Sequence, residues 1–157
     1  MAASLNKQIN AELYSSYLYL SMAAWFASEN LSGFAHWMRK QASEEQAHAM
    51  KFYDYLIERG AKVALTAIDA PPASWKSPLA AFEEVSKHER KVTALIEGLA
   101  AQADELKDRA TSVLLHWYIN EQVEEEAHAV EIVAKLKMIK DSAGGLFQMD
   151  HHLGKRE

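Results

Sequence analysis

Residues that break helices are confined to a few places in this chain of 157 residues. Its six glycines and three prolines are Gly33, Gly60, Pro71, Pro72, Pro78, Gly98, Gly144, Gly145 and Gly154. Only Gly98 lies deep inside a block free of other breakers, so the intervals between the rest are read as long helices. The blocks run from about Ala3 to Ser28, from Ser32 to a stop at Gly60, from Ser77-Pro78 to about Asp104, and from there to about Lys140. A short fifth segment, Leu146 to Leu153, follows the double glycine. Ser77 before Pro78 is a helix start, with the serine as cap and proline in the first turn. Helices of roughly 26 to 34 residues are about 40 to 50 Å long, which suits a bundle. The joints near residues 30 and 106 are short and predict antiparallel neighbours. The interval from Ala61 to Lys76 is long for a bundle loop and can run the length of the bundle, placing the second and third helices parallel.

A bundle helix shows its core face at spacings of three and four. In the first block that stripe is Ile9, Glu12, Ser16, Tyr19, Ala23 and Phe26; in the second it is Phe34, Met38, Gln41, Glu45, His48, Phe52 and Tyr55. The third gives Phe82, Val85, Glu89, Val92, Ile96, Leu99, Ala103 and Leu106, and the fourth Leu115, Tyr118, Gln122, Glu125, Ala129, Ile132, Leu136 and Ile139. Each stripe carries an acid near its middle. Burying unpaired carboxylates costs several kcal/mol each, on the order of magnitude found for buried ions. No Lys or Arg falls on the central turns, so a bound metal is the natural compensating charge. Carboxylates with one imidazole and no thiolate suit iron or manganese better than structural zinc.

The spacing also resembles carboxylate-bridged two-metal bundles, in which two helices give one Glu each and two give Glu-x-x-His. Glu12 and Glu89 are the single glutamates and Glu45-Gln46-Ala47-His48 is one complete motif. Glu125-Glu126-Ala127-His128 spells a second. Turning His128 inward, however, leaves a stripe with three apolar members, against six for the stripe holding Gln122 and Glu125. Glu12 to Glu45 and Glu89 to Gln122 are both 33 residues apart, which places Gln122 and Glu125 where Glu45 and His48 stand in the first half.

Composition narrows the alternatives. The absence of cysteine removes disulfide frameworks, iron–sulfur clusters, thiolate zinc sites and cysteine nucleophiles. A formal net charge of -5 disfavours nucleic acid as a partner and suits cations. No run of eighteen uncharged apolar residues predicts a membrane span, and Lys7 and Glu12 fall where a signal peptide would be apolar, so a cytoplasmic location is expected.

With the segments Glu12-Leu13-Tyr14-Ser15-Ser16, Glu44-Glu45-Gln46-Ala47-His48-Ala49, Lys87-His88-Glu89, Trp117-Tyr118 and Glu121-Gln122-Val123-Glu124-Glu125-Glu126, nearly the whole chain resembles the non-haem ferritins of bacteria and archaea. The resemblance implies a ferritin-like four-helix bundle with one long crossover and a short C-terminal fifth helix, forming a single di-iron domain over residues 1–157. It further implies a ferroxidase centre with Glu12, Glu45 and His48 around a first iron. Glu45 bridges to a second iron held with Glu89 and Glu125, and Gln122 lies close by. Tyr19 and Trp117 match the family's aromatic residues beside the centre. Glu44, Glu121 and Glu124 match the ligands of a third iron site, shared with Glu125.

The implied activity is oxidation of Fe(II) by O2 and storage of ferric mineral inside a homo-oligomeric shell of about twenty-four chains. No haem is expected, because Gln46 stands where bacterioferritins carry the haem-binding methionine, and Glu125 where their second motif has His. The four-cysteine domain of rubrerythrins is excluded by composition. Two rivals remain: a structural bundle whose inward acids are protonated, and a di-iron oxygenase, the latter weakened by polar Gln41 and Tyr19 near the centre and by the lack of length for a substrate pocket.

Overall fold

The structure is a computed structural model and describes residues 1–156. Among these the chain is helical without strands: α1 (Ala2–Ser28), α2 (Ser32–Glu58), α3 (Pro78–Glu105), α4 (Arg109–Ile139) and α5 (Ala143–Leu153). α1 pairs with α2 and α3 with α4, while α5 lies against α2 and α4. The joints between the paired helices are closed by residues in the left-handed region. Asn30 (φ 61°) lets Leu31 N donate to Phe26 O, and Lys107 (φ 55°) lets Asp108 N donate to Ala103 O. Gly60, at φ 67°, ends α2 in the same way, with Ala61 N donating to Leu56 O. As the sequence predicts, Ser77 caps α3, its Oγ accepting from Ala80 N at 3.1 Å.

The long crossover follows α1 from its first turns to its last. Asn6 Nδ2 donates to Lys62 O (3.0 Å), Asn10 Nδ2 to Ala67 O (3.0 Å), and Ser21 Oγ to Pro72 O (2.5 Å). Residue numbers rise together along both segments, so the crossover carries the chain back to the end of the bundle where α2 began. α3 therefore starts parallel to α2, the topology of a four-helix bundle with one crossover.

The fifth helix differs in its start. The sequence places it after the double glycine, at Leu146, whereas α5 begins at Ala143 and includes both glycines. Ser142 supplies the missing signal: its Oγ accepts from Gly145 N at 3.1 Å and caps the first turn. α5 in turn caps α2. The N-cap position of α2, Leu31, has no side chain able to accept. Asp150 fills that role from across the fold, its Oδ1 accepting from Gly33 N (2.8 Å) and Phe34 N (3.0 Å). A Cβ at Gly33 would lie 1.7 Å from the Asp150 carbonyl oxygen, which makes glycine a steric requirement of this docking.

The interior is two apolar clusters separated along the bundle axis. One gathers Leu18, Met22 and Phe26 of α1, Phe34 to Ala42 of α2, Ala81 to Val85 of α3 and Ala129 to Leu136 of α4, and is closed by Met149 and Leu153 of α5. The other gathers Leu5 and Ile9, Ala49 to Leu56, Val92 to Ala103, and Leu115 with Tyr118. On every long helix the acids of the stripe fall between these two sets.

Asp150→Ala should destabilise the fold by about 1 kcal/mol, the usual cost of an N-cap. Gly33→Ala should lower the unfolding temperature further, because it expels the Asp150 backbone as well as its carboxylate. Thermal unfolding of the two variants side by side checks the order.

Candidate metal centre

The buried residues of α4 are Thr111, Leu115, Tyr118, Gln122, Glu125, Ala129, Ile132 and Leu136, and His128 is exposed. The register chosen from periodicity thus agrees with the structure. Glu12, Glu45 and Glu89 are 1–2 % exposed, Glu125 7 % and His48 6 %. Tyr19, also from the first stripe, is fully buried.

Glu12, Glu45 and His48 each place a ligand atom within 4.8 Å of the others. His48 Nδ1 lies 3.4 Å from Glu45 Oε2, one turn away on the same helix. His48, Glu121 and Glu125 form a second cluster within the same limit, with His48 Nε2 3.9 Å from Glu121 Oε2. One imidazole therefore links a group the sequence assigns to the first iron with one it assigns to the third. Among the described residues Glu89 joins neither cluster. Its Oε1 accepts the Tyr19 hydroxyl and its Oε2 accepts from Gln122 Nε2 at 3.2 Å, so Gln122 faces the centre as a donor to Glu89. Glu124 is exposed and Glu44 is half-buried beside Arg156. Trp117 packs edge-on to His48, with ring centroids 5.4 Å apart.

Neutral donors surround the deep acids. Gln8 Nε2 donates to Glu12 Oε1 at 2.9 Å. Gln41 Nε2 donates to both Glu45 Oε1 (3.1 Å) and Glu125 Oε2 (2.7 Å), joining α2 to α4. The sequence places Gln41 on the inward stripe near the centre without naming the acids it serves, and passes over Gln8, whose place one helical turn before Glu12 marks it. His88 packs against the Tyr19 ring, with centroids 6.2 Å apart, and shares a 2.8 Å hydrogen bond with Ser15. Its burial pulls the imidazole down to about 4, so it stands there neutral.

One buried oxygen is left without a partner: Glu12 Oε2 makes no hydrogen bond among the described residues. No Lys or Arg pairs with Glu12, Glu45, Glu89 or Glu125 among those residues either. Burial, followed by repulsion from Glu45, pushes Glu12 up to about 8. Burial and then Glu89 push Glu125 up to about 7. Glu45 and Glu89 are raised as well, in both cases chiefly by burial. An orphaned carboxylate oxygen, clustered carboxylates without a basic partner and one imidazole are the donor set of a hard or borderline divalent cation. A cavity of about 280 Å³ between α3 and α4, lined in part by Thr93, Glu97, Gln122 and Glu126, approaches this layer to within one side chain of Glu89.

These raised values fix a direction for stability. A carboxyl that binds its proton more tightly folded than unfolded loses stabilisation as pH rises from the ordinary value of 4.5 through its folded value. Metal-free protein should therefore become less stable between about pH 4.5 and 8. Glu12→Gln keeps the acceptor for Gln8 and removes the charge, and should flatten the slope, most visibly near pH 8. Denaturant unfolding of chelator-treated protein across that range measures both.

A family model for the ferritin-like domain matches residues 2–139. A bacterial non-heme ferritin of Bacteroides fragilis is 47% identical over 153 residues, covering 98% of this chain and 95% of that protein. One from Escherichia coli O157:H7 is 37% identical over 153 residues, covering 98% and 93%. Among solved structures, an open pore ferritin from the hyperthermophilic archaeon Archaeoglobus fulgidus superposes with a TM-score of 0.99 at 52% identity, covering 100% of this chain and 96% of that one. The chain belongs to the ferritin family.

Proposed function

We propose that this protein stores iron, acting as a single ferritin-like domain that oxidises Fe(II) with O2 and passes ferric product to a mineral inside a homo-oligomeric shell of about twenty-four chains in the cytoplasm. The observation that carries the reading is the Glu12–Glu45–His48 cluster with the unpartnered Glu12 Oε2 at its heart. Fe(II) is the substrate. Glu12, Glu45 and His48 take one ion, Glu45 with Glu89 and Glu125 a second, and two irons per chain deliver two electrons to O2. Glu12 and Glu125 hold protons near neutral pH and release them when a cation binds, so affinity rises with pH. Gln8, Gln41 and Gln122 hold the carboxylates by neutral hydrogen bonds that a metal does not have to outcompete as charge. Tyr19 orients Glu89 through its hydroxyl. Glu44, Glu121 and Glu124, with Glu125, form a third site on the way inward. Haem has no part in this chemistry, since Gln46 offers no thioether.

Names of the relatives support storage of iron without haem, and the solved ferritins of matching fold support a multimeric shell. A structural bundle with idle acids is disfavoured by the cluster as a whole, for four buried carboxylates with no Lys or Arg partner among the described residues are costly unless a cation joins them. The third reading, an oxygenase acting on organic substrate, finds no support in the ring of glutamine amides around the centre.

Glu45→Ala should reduce the initial rate of iron oxidation by about a hundredfold or more, since this carboxylate serves both metals. His48→Ala should weaken first-iron binding by about 10- to 100-fold, and His128→Ala should leave oxidation unchanged. Stopped-flow absorbance after mixing anaerobic Fe(II) protein with O2 tests both. Wild-type rates in Glu45→Ala, or equal damage from the two histidine variants, would overturn the assignment.

A further inference from the structure

Among the described residues one basic side chain reaches the edge of the acidic layer, and it comes from beyond α5. Arg156 lies 111 residues from Glu45 in sequence. Its Nη1 donates to Gln41 Oε1 at 2.8 Å and its Nη2 to the Glu44 carboxylate. Its guanidinium carbon sits 4.6 Å from the centroid of the Trp37 ring, and its carbonyl oxygen lies 2.8 Å from His36 Nε2. The side chain is 20 % exposed. Three contacts from α2 thus hold the head group and a fourth holds its backbone, and only one of the four is to Glu44.

Two consequences follow from the chemistry of a guanidinium. It has donors and no acceptor, so Gln41 must turn its amide oxygen toward Arg156 and its NH2 toward Glu45 and Glu125, the orientation seen. It is also a permanent cation, and it takes one of the two Glu44 oxygens, Oε2, while its charge opposes a second cation at the same carboxylate. The deep carboxylates Glu12, Glu45, Glu89 and Glu125 have no such rival among the described residues. Among the described residues Glu44 is the one acid assigned to iron that is paired with an arginine.

We propose that Arg156 is an internal competitor for the third metal site: it occupies Glu44 until an arriving cation displaces it, and so makes that site fill after the two deeper ones. This rests on Glu44 being an inner-site ligand, as given under Proposed function. Because Trp37 and His36 keep the segment docked when Glu44 is taken, the guanidinium stays close by and re-forms the pair when the metal moves on. The device sets the order of loading with no direct contact to Glu12, Glu45, His48, Glu89 or Glu125, and its link to them runs through the amide of Gln41, which Arg156→Lys leaves with a cationic donor.

The test is an anaerobic calorimetric titration of assembled protein with Fe(II), comparing wild type, Arg156→Gln, Arg156→Lys, Glu44→Gln and the double variant Arg156→Gln/Glu44→Gln. In Arg156→Gln the third equivalent should bind about three- to tenfold more tightly, the scale of a lost part-buried ion pair. The first two equivalents should shift by less than about twofold. Arg156→Lys keeps a cation beside Glu44 and should stay within about twofold of wild type, which separates loss of charge from loosening of the segment. With Glu44→Gln already present, Arg156→Gln should have no further effect. An unchanged third step in Arg156→Gln, an equal tightening in the Glu44→Gln background, or no third step in either protein overturns the proposal. Failure of wild type to bind the first two equivalents overturns instead the iron reading beneath it.

Discussion

Four carboxylates, one from each long helix, meet between two apolar clusters, and each is held by a neutral donor where a structural protein would place a basic side chain. Gln8 serves Glu12, Gln41 serves Glu45 and Glu125, and Tyr19 with Gln122 serves Glu89. A lysine in their place would satisfy the charge and close the site, since a metal would then have to expel a buried cation. An amide or hydroxyl fixes the direction of a carboxylate and leaves its charge unspent. The layer is consequently the least stable part of the metal-free interior and the part most improved by a cation, which is the thermodynamic form of a binding site.

The helices can sustain this layer because packing on either side is dense in large side chains. Phe26, Phe34 and Phe82 pack together at one end, and Phe52 stacks on Tyr118 at the other, with centroids 4.0 Å apart. Tyr118 also ties α4 to α2 at the edge of the polar layer, its hydroxyl donating to the His48 carbonyl at 2.7 Å. Aromatic clusters of this kind contribute about 0.5–1.5 kcal/mol per pair beyond buried area. They hold the four stripes in register while the residues between them repel one another.

What could be read from the sequence was what repeats. Helix number, the crossover, and the inward choice of Gln122 and Glu125 over His128 all follow from spacing, and spacing survives folding because a helix is a rigid ruler. Three features were not legible in that way. Gly144 and Gly145 read as a break, yet Ser142 caps them into the first turn of α5. The N-terminus of α2 has no local cap, and its partner Asp150 stands 117 residues away. Arg156 is equally remote from Gln41. The last two are contacts between segments with no periodicity relating them, so only the assembled structure places them together, whereas the Ser142 cap is local and is obscured by the two glycines of the turn it caps. Glu89 was legible as a buried acid, but its pairing with Tyr19 depends on the lateral fit of α1 against α3.

Those remote contacts converge on one helix. Asp150 binds the first turn of α2 from α5, His36 and Trp37 receive the backbone and guanidinium of Arg156, and Gln41 receives the same guanidinium one turn before Glu45. Glu45 lies on that same helix and touches both the Glu12 and Glu125 sides of the centre through His48 and Gln41. The position of α5 is therefore transmitted to the central carboxylate along less than four turns of rigid helix, and Gly33 is where that transmission begins, because any side chain there would lift α5 away. A short terminal helix outside the four-helix bundle is thus mechanically joined to its polar layer, through backbone amides at one end and a single arginine at the other.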